Sequence, residues 1–283
     1  MLERIKTGWQ LTKASMRIVS QDKEMILYPI FATSIILALA ALFFFGAIAS
    51  GFLTSLASPS LMQGTFYFFI ALFLIAAYAI SIFFEGAIIT STLQRCEGRN
   101  PTIKTGLGAP LKKVHHLLLW AVITTIVTVI VQIIRNLGKG KSRGAEVASN
   151  IGASTLETGW RLLSFFVIPV ILFENKSVFP ALARSKELFV KTWGENITSQ
   201  LTVSMLFALL AFIGIIPLIG AFLIGNQILL LVIGIIFTLW IIAIIILATT
   251  INGILVALLY AYATGRKIPK EYGITQQMLI KKS

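Results

Sequence analysis

Residues 228–262 read ILLLVIGIIFTLWIIAIIILATTINGILVALLYAY, a run of 35 residues without a charged side chain. An α-helix of this length measures roughly 52 Å, which is longer than the ~30 Å hydrocarbon core of a bilayer. Such a run is typical of a membrane-spanning helix that tilts, bends or projects beyond the lipid. This segment alone therefore predicts an integral membrane protein.

The composition of the whole chain agrees with that prediction. Of its 283 residues, 57% are hydrophobic and only 12% are charged, whereas a soluble protein needs more polar residues to cover its surface. The single cysteine, Cys96, excludes an intrachain disulfide and a thiolate metal cluster. Neither a nucleophile–base pair nor a pair of carboxylates nor a set of metal ligands appears in the sequence. We therefore expect no enzyme activity, no metal site and no cofactor.

Six apolar runs account for most of the chain. They are Met25–Phe52, Phe66–Ile89, Val114–Ile134, Leu162–Phe173, Leu201–Ile224 and Ile228–Tyr262. The fourth run is too short to cross alone, because 12 residues give roughly 18 Å of helix. We therefore expect residues 145–173 to form one helix, or two in line, that enters the membrane. The fold class is an all-α integral membrane protein with six spans in a single domain, 1–283.

The distribution of basic residues predicts the orientation. The chain has 24 Lys and Arg against 11 Asp and Glu, and the bases lie in short loops, where lipid headgroups explain them better than nucleic acid does. The N-terminal segment, the loops after the second and fourth spans, and the tail each carry four or five, whereas the loops after the first and fifth carry none. We therefore expect the protein to lie in the cell membrane with both termini in the cytoplasm.

One loop departs from this rule. The connection between the third and fourth runs carries Arg135, Lys139, Lys141 and Arg143, with Arg161 near its end, and six spans place it outside. Two interpretations remain open: a basic loop tolerated because its neighbours fix the topology, or bases that face a pathway or an anionic partner. The small residues of segment 145–159 likewise suit either close helix packing or the lining of a pore.

An internal repeat is indicated by two similar segments. Phe84–Ile88 (FEGAI) in the second run resembles Ile251–Leu255 (INGIL) in the sixth, and in each a second glycine follows the first by 12 residues. Segment 174–176, which follows the fourth run, is a looser third copy of this repeated pattern. Polar amphipathic segments precede the odd-numbered spans, at 11–24, 102–116 and 179–193. The pattern predicts three hairpins, each preceded by a cytoplasmic amphipathic helix, in units 1–98, 99–173 and 174–265, with a cytoplasmic tail 266–283. Chance similarity between apolar helices is the alternative.

Glu85 is the acidic residue that lies deepest in an apolar run. It precedes Glu97 by 12 residues, so it lies roughly 18 Å from the cytoplasmic end of its span. A carboxyl group at that depth usually faces a bundle interior or water, and the repeat places Asn252 at the matching position. The two side chains could bracket an ion or proton site, or Glu85 could be protonated and hold neighbouring helices together.

Two sets of residues carry a resemblance to a known family. They are Trp9, Ser15, Asp22-Lys23-Glu24 and Pro29, and then Trp160, Phe165, Pro169, Glu174, Ala181, Arg184-Ser185 and Thr192-Trp193-Gly194. Both resemble a family of uncharacterised prokaryotic polytopic membrane proteins. The layout of hairpins and amphipathic helices is more distantly similar to the membrane domain of glycerophosphodiester phosphodiesterases, whose catalytic domain this sequence lacks. The resemblance implies a six-span fold and no particular activity.

Two functions are compatible with these features. The first is a channel or carrier for a small solute or ion. The second is a non-transporting scaffold or lipid-binding protein with a basic cytoplasmic collar. Anionic membrane lipids are the expected partners of either, a homo-oligomer is compatible with both, and no nucleic acid is expected.

The predicted topology can be tested by cysteine labelling in a Cys96→Ala background. A membrane-impermeant maleimide should label Ser58→Cys in intact cells, because the loop after the first span is external. It should label Ser283→Cys only after the membrane is permeabilised. External labelling of position 283 together with protection of position 58 would contradict the model.

Overall fold

The computed structural model describes residues 2–49, 61–266, 268, 269 and 272. Positions 58 and 283, and most of the tail predicted at 266–283, lie outside these residues. The described chain is all-helical and contains no strand. A short 3₁₀ helix, Lys23–Ile26, joins the first two α-helices. The α-helices are α1 (Leu2–Gln21), α2 (Leu27–Ala49), α3 (Leu61–Cys96), α4 (Ile103–Lys112), α5 (Val114–Leu137), α6 (Arg143–Ser164), α7 (Val167–Phe173), α8 (Val178–Lys191), α9 (Trp193–Ile224) and α10 (Gln227–Ala263).

Six helical segments of the described chain are long and apolar enough to cross a bilayer. They are Lys23–Ala49, Phe68–Cys96, Val114–Leu137, Arg143–Phe173, Ser204–Ile224 and Gln227–Ala263. Each overlaps one of the six apolar runs, so the predicted number of spans is confirmed. The chain is a multi-pass membrane protein.

The fourth span is built from α6 and α7, with a break at Phe165 and Phe166. The Phe166 amide N–H donates to Ser185 Oγ at 2.9 Å, and its carbonyl accepts from the Val170 N–H at 3.0 Å. The helical ladder is therefore interrupted where a side chain from α8 satisfies a freed backbone donor. The expectation that residues 145–173 form two successive helices is confirmed.

The described chain divides into two compact, interleaved units. The first contains the residues up to Ile30, then Ile88–Gly106, and the residues from Val190 onward. The second contains the described residues of Phe31–Ala87, together with Leu107–Phe189. The chain passes from one unit to the other several times, so neither is a continuous segment of sequence.

In the first unit, the buried side chain of Tyr28 holds three helices together. Its hydroxyl lies 2.9 Å from Ser91 Oγ on α3. On its other side lies Gly106 of α4, where an added Cβ would overlap both hydroxyl groups. Close by, Glu24 Oε2 accepts from the Ile103 N–H at 3.1 Å and so satisfies a free donor at the start of α4.

Ion pairs at the helix ends reinforce the same unit. Asp22, which is only 6% exposed, forms a bidentate pair with Arg95 near the end of α3. Arg266, just after α10, lies 3.5 Å from Glu97, just after α3. Lys191 Nζ donates to the Ala263 carbonyl at 3.0 Å, where the end of α10 has free acceptors.

The helices α3, α10 and α7 end with the same backbone conformation. The second residue after each helix is left-handed: Gly98 (φ 80°), Gly265 (φ 72°) and Asn175 (φ 52°). At the first two ends the following amide closes a six-residue turn, from Arg99 N–H to the Gln94 carbonyl (3.0 Å) and from Arg266 N–H to the Ala261 carbonyl (2.8 Å). This is the Schellman arrangement, which glycine favours because it lacks a Cβ.

The contact at Gly106 can be tested by comparison with a glycine on the same helix. Gly106→Ala should lower the free energy of unfolding by about 1–3 kcal/mol, because the added methyl overpacks the Tyr28 contact. Gly108→Ala should not, since nothing lies within 4 Å of the added Cβ. Thermal unfolding in detergent measures both variants. Equal melting temperatures for the two would contradict the close approach.

Candidate functional site

In the second unit, α5 and α6 form an antiparallel hairpin. The rings of Trp120 and Trp160 stack with their centroids 5.3 Å apart. At the other end, an added Cβ on Gly152 would lie 3.9 Å from the Ile134 side chain. Gly138 packs directly against Ser149, and Ala153 is fully buried. The small residues predicted in segment 145–159 thus let α6 approach α5 closely, which is the packing interpretation.

This pairing places Trp160, and Arg161 directly after it, beside the second turn of α5. Trp120 is the seventh residue of α5, so it lies about 9 Å along the helix from the first residue. Arg161 follows Trp160 directly and belongs to the candidate span Arg143–Phe173. The prediction that Arg161 belongs to the external loop is not tested by these contacts and stays a prediction.

Arg161 belongs to a three-residue ion network inside the hairpin. Glu157 Oε2 accepts from Arg135 Nη2 at 2.9 Å, and Glu157 Oε1 accepts from Arg161 Nη2 at 3.4 Å. The side chains of Arg135, Glu157 and Arg161 are 33%, 45% and 68% exposed. Pairing reduces the unfavourable free energy of a charge in lipid. Two guanidinium groups against one carboxylate leave an excess positive charge, chiefly on Arg161.

The other bases of the predicted outer loop remain at the open end of the hairpin. Lys139, Lys141 and Arg143 are exposed, and none of them forms an ion pair with a residue that the structure describes. Arg135 differs from them, because it lies in the last turn of α5 and turns toward Glu157. The four predicted residues are thus separated into three free bases and one that belongs to the network.

One face of α6 is polar along most of its length. Asn150, Ser154, Thr158 and Arg161 follow one another at intervals of four, four and three residues, so they share a helix face, and all four are exposed. Arg143 extends the row by two turns. An open groove of about 620 Å³ runs along this side of the helix. Its described lining residues are Asn150, Ile151, Ser154, Thr155, Thr158 and Gly159.

The exposed faces of the other spans are very different. On α10 the most exposed large side chains are apolar: Ile228, Leu231, Ile235, Ile236 and Leu239. Such residues are suited to contact with lipid. The polar exposed face of α6 therefore sets this helix apart from α10, although both are long enough to span the membrane.

Glu85 and Asn252 lie at equal distances from the ends of their helices. Glu85 precedes Cys96, the last residue of α3, by 11 residues, and Asn252 precedes Ala263, the last residue of α10, by the same number. Within the first unit, α3 and α10 approach closely, since an added Cβ on Gly253 would lie 2.9 Å from Ile88. The predicted sharing of a site by Glu85 and Asn252 requires such neighbouring helices, and it stays a prediction.

The residue after Glu85 packs against apolar side chains. An added Cβ on the adjacent Gly86 would lie 3.2 Å from Leu172 and 3.3 Å from Pro110. Among the residues described, none forms a hydrogen bond or an ion pair with the Glu85 carboxyl group. The alternative prediction is that a protonated Glu85 holds neighbouring helices together by hydrogen bonds. Among the described residues it has no partner for this role.

Glu157 was absent from the sequence-based candidates, although a signal for it exists. It lies four residues before Arg161, the favourable order for an ion pair within a helix. Segment 143–164 also has polar residues at helical spacing. The signal was hidden because small residues, suited to packing, alternate with these polar positions.

The ion network can be tested with two glutamates of α6. Glu157→Gln should lower the free energy of unfolding by about 1.5–3 kcal/mol, since it leaves two guanidinium groups in the span without a counter-charge. Glu146→Gln is the matched control, because Glu146 is exposed and forms no ion pair with the described residues. Chemical unfolding in lipid nanodiscs compares them. A Glu157→Gln variant as stable as the control would show that the network contributes little.

Comparison with known proteins gives a family without an assigned activity. No curated protein and no solved structure matches the chain, and no link to glycerophosphodiester phosphodiesterases is found. A family model matches residues 64–268, which contain the whole of the α5–α6 hairpin and the helices α7 to α10. Since this match covers well over half of its length, the chain belongs to the family of unknown function DUF6159.

Proposed function

We propose that this protein is a channel or carrier for a small solute or ion, and that the polar face of α6 lines its pathway. The observation that carries the proposal is the row of exposed polar side chains along an open groove on a helix of a candidate membrane span. Asn150, Ser154 and Thr158 are exposed there. In hydrocarbon these groups would lose their hydrogen bonds to water, which is unfavourable for each of them. A water-filled path keeps them hydrated.

The charges support the same conclusion. Ionisable residues within spans usually face a bundle interior or a water-filled cavity and often mark the route of an ion or substrate. Arg161 is 68% exposed, so its partner Glu157 does not shield it from its surroundings. Lipid tails would be a poor environment for such a side chain, whereas water in a pathway would hydrate it.

The proposal includes a threefold internal repeat. The left-handed residues Gly98 and Gly265 are 167 positions apart, and Glu85 and Asn252 have the same separation. Asn175 follows Gly98 by 77 positions and occupies the same place after a helix. These three equivalent helix ends support the division into units 1–98, 99–173 and 174–265, each a cytoplasmic amphipathic helix followed by a hairpin. In this proposal these ends and both termini are cytoplasmic, as the distribution of basic residues predicts.

Glu85 and Asn252 have a second role in this proposal. Equal separation from equivalent helix ends would give them the same depth in the membrane. They would then form a polar level near the middle of the spans, where an ion or proton could pause. The α6 groove does not depend on this level, so the two features can be tested separately.

The alternative is a non-transporting scaffold or lipid-binding protein with a basic cytoplasmic collar. The exposed lysines Lys104 and Lys112 on α4, and Lys186 on α8, support it, because each could contact an anionic headgroup. Arg184 of α8 is already engaged, since Glu187 and Glu174 bind its guanidinium and raise its pKa. This function requires no pathway and predicts no solute flux.

A flux experiment with two matched threonines distinguishes the two functions. Thr155 in the groove and Thr238 on α10 are both exposed, and each donates to the carbonyl four residues earlier at 2.8 Å. Thr155→Leu should slow the flux by about tenfold, because the larger apolar side chain replaces a hydroxyl and fills part of the proposed path. Thr238→Leu should leave it unchanged.

The measurement uses purified protein in liposomes, with swelling followed by light scattering in potassium salts and in small neutral solutes. Wild-type vesicles should exchange at least one of these solutes faster than protein-free vesicles. Exchange no faster than in protein-free vesicles for every solute would overturn the proposal and favour the scaffold. Equal flux through both leucine variants would remove the groove of α6 from the pathway.

A further inference from the structure

We infer that the pathway along α6 selects small anions over cations, an inference that rests on the proposed function. It follows from the basic residues that precede and follow the lining residues of the groove along the chain. The segment between Arg135 and Arg161, including both, contains five basic and two acidic residues. Its net charge is therefore +3, within a hairpin whose remaining exposed surface is mostly apolar or hydroxyl-bearing.

The end of the groove next to the α5–α6 turn is basic. Lys139, Lys141 and Arg143 are exposed there, and Glu146 is the acidic side chain near them. The four side chains together carry a charge of +2. Because the three bases have no ion-pair partner in the described chain, they are available to attract a negative ion to the mouth.

The far end of the groove is also positive. Arg161 lies 18 residues after Arg143, which is five helical turns or about 27 Å along α6. Both side chains are on the same face of the helix, since 18 residues complete five turns. Glu157 is shared between Arg135, at 2.9 Å, and Arg161, at 3.4 Å. Its single charge balances one of these arginines and leaves +1.

The residues between the two ends provide hydrogen-bond donors without adding charge. The amide of Asn150 and the hydroxyls of Ser154 and Thr158 can donate to an anion or accept from a hydrated cation. They therefore do not determine selectivity. The positive charge at each end does, because in a path with low-dielectric walls it raises the local concentration of anions and repels cations.

The groove is open to its surroundings, so an anion that enters it can keep part of its hydration. A halide or a small carboxylate is such an anion. Asn150, Ser154 and Thr158 could replace some of the water molecules that it loses on entry.

The selectivity can be measured as the ion preference of the purified protein in vesicles across a potassium chloride gradient. The wild-type protein should show an anion-to-cation permeability ratio above about 10. A cleft lined by charges of one sign raises the local concentration of the opposite ion by at least about this factor. Arg161→Gln and Arg143→Glu should each lower this ratio severalfold. Arg143 begins α6, where an acidic residue is favourable, so the second variant should fold. Lys186→Glu changes the total charge by the same amount as Arg143→Glu, but it lies outside the spans. It should leave the ratio unchanged.

Each outcome has a separate meaning. A wild-type protein that conducts without selectivity, or prefers potassium, would overturn the inference and leave the proposed function intact. Anion selectivity that persists in both Arg161→Gln and Arg143→Glu would overturn the assignment to α6. If flux is absent for every salt and neutral solute, the proposed function fails and this inference with it.

Discussion

The structure depends on the fact that hydrocarbon offers no hydrogen bonds. A helix that crosses lipid must satisfy its own backbone, and its exposed side chains must be apolar or must have another source of hydration. Five of the six spans follow this constraint with long runs of Leu, Ile, Val, Phe and Ala. The exception is α6, whose exposed side carries an amide, hydroxyls and charges. These groups are stable in a span only if they remain hydrated or paired, so the position of water around α6 decides its function.

The same constraint explains how much of the fold is predictable from the sequence. Apolar runs identified all six spans because length and hydropathy are properties of continuous segments. The short fourth run, which ends at Phe173, was correctly extended back to Ala145, since a 12-residue helix cannot cross the bilayer. The contact between Tyr28 and Gly106 was not predictable, because residues far apart in sequence meet only after helices pack. The left-handed positions at Gly98 and Gly265 were marked by glycine, but Asn175 carried a much weaker signal.

The candidate site was only partly predictable for a related reason. Counting bases by loop groups Arg161 with the outer loop, but such counting contains no information on which residues of α5 lie beside it. The stacking of Trp120 on Trp160 supplies that information. The pairing of Arg135 with Glu157 requires a side chain to extend along its helix toward a residue of the neighbouring one, which sequence spacing alone does not indicate. Glu85 and Asn252 were noticed because an isolated polar residue stands out in an apolar run. Residues 150–161 were not, because they lie among other polar residues.

The third left-handed residue, Asn175, gives its helix end a contact that the other two lack. Glycine adopts this conformation without strain but offers no side chain, whereas asparagine adopts it less readily and retains an amide. At Asn175 that amide accepts a hydrogen bond from Lys113, the residue before α5. The end of α7 is thereby attached to the start of the helix that carries the ion network, a link that Gly98 and Gly265 have no side chain to make. Three helix ends can thus share a backbone turn while only one of them acts as an anchor between helices.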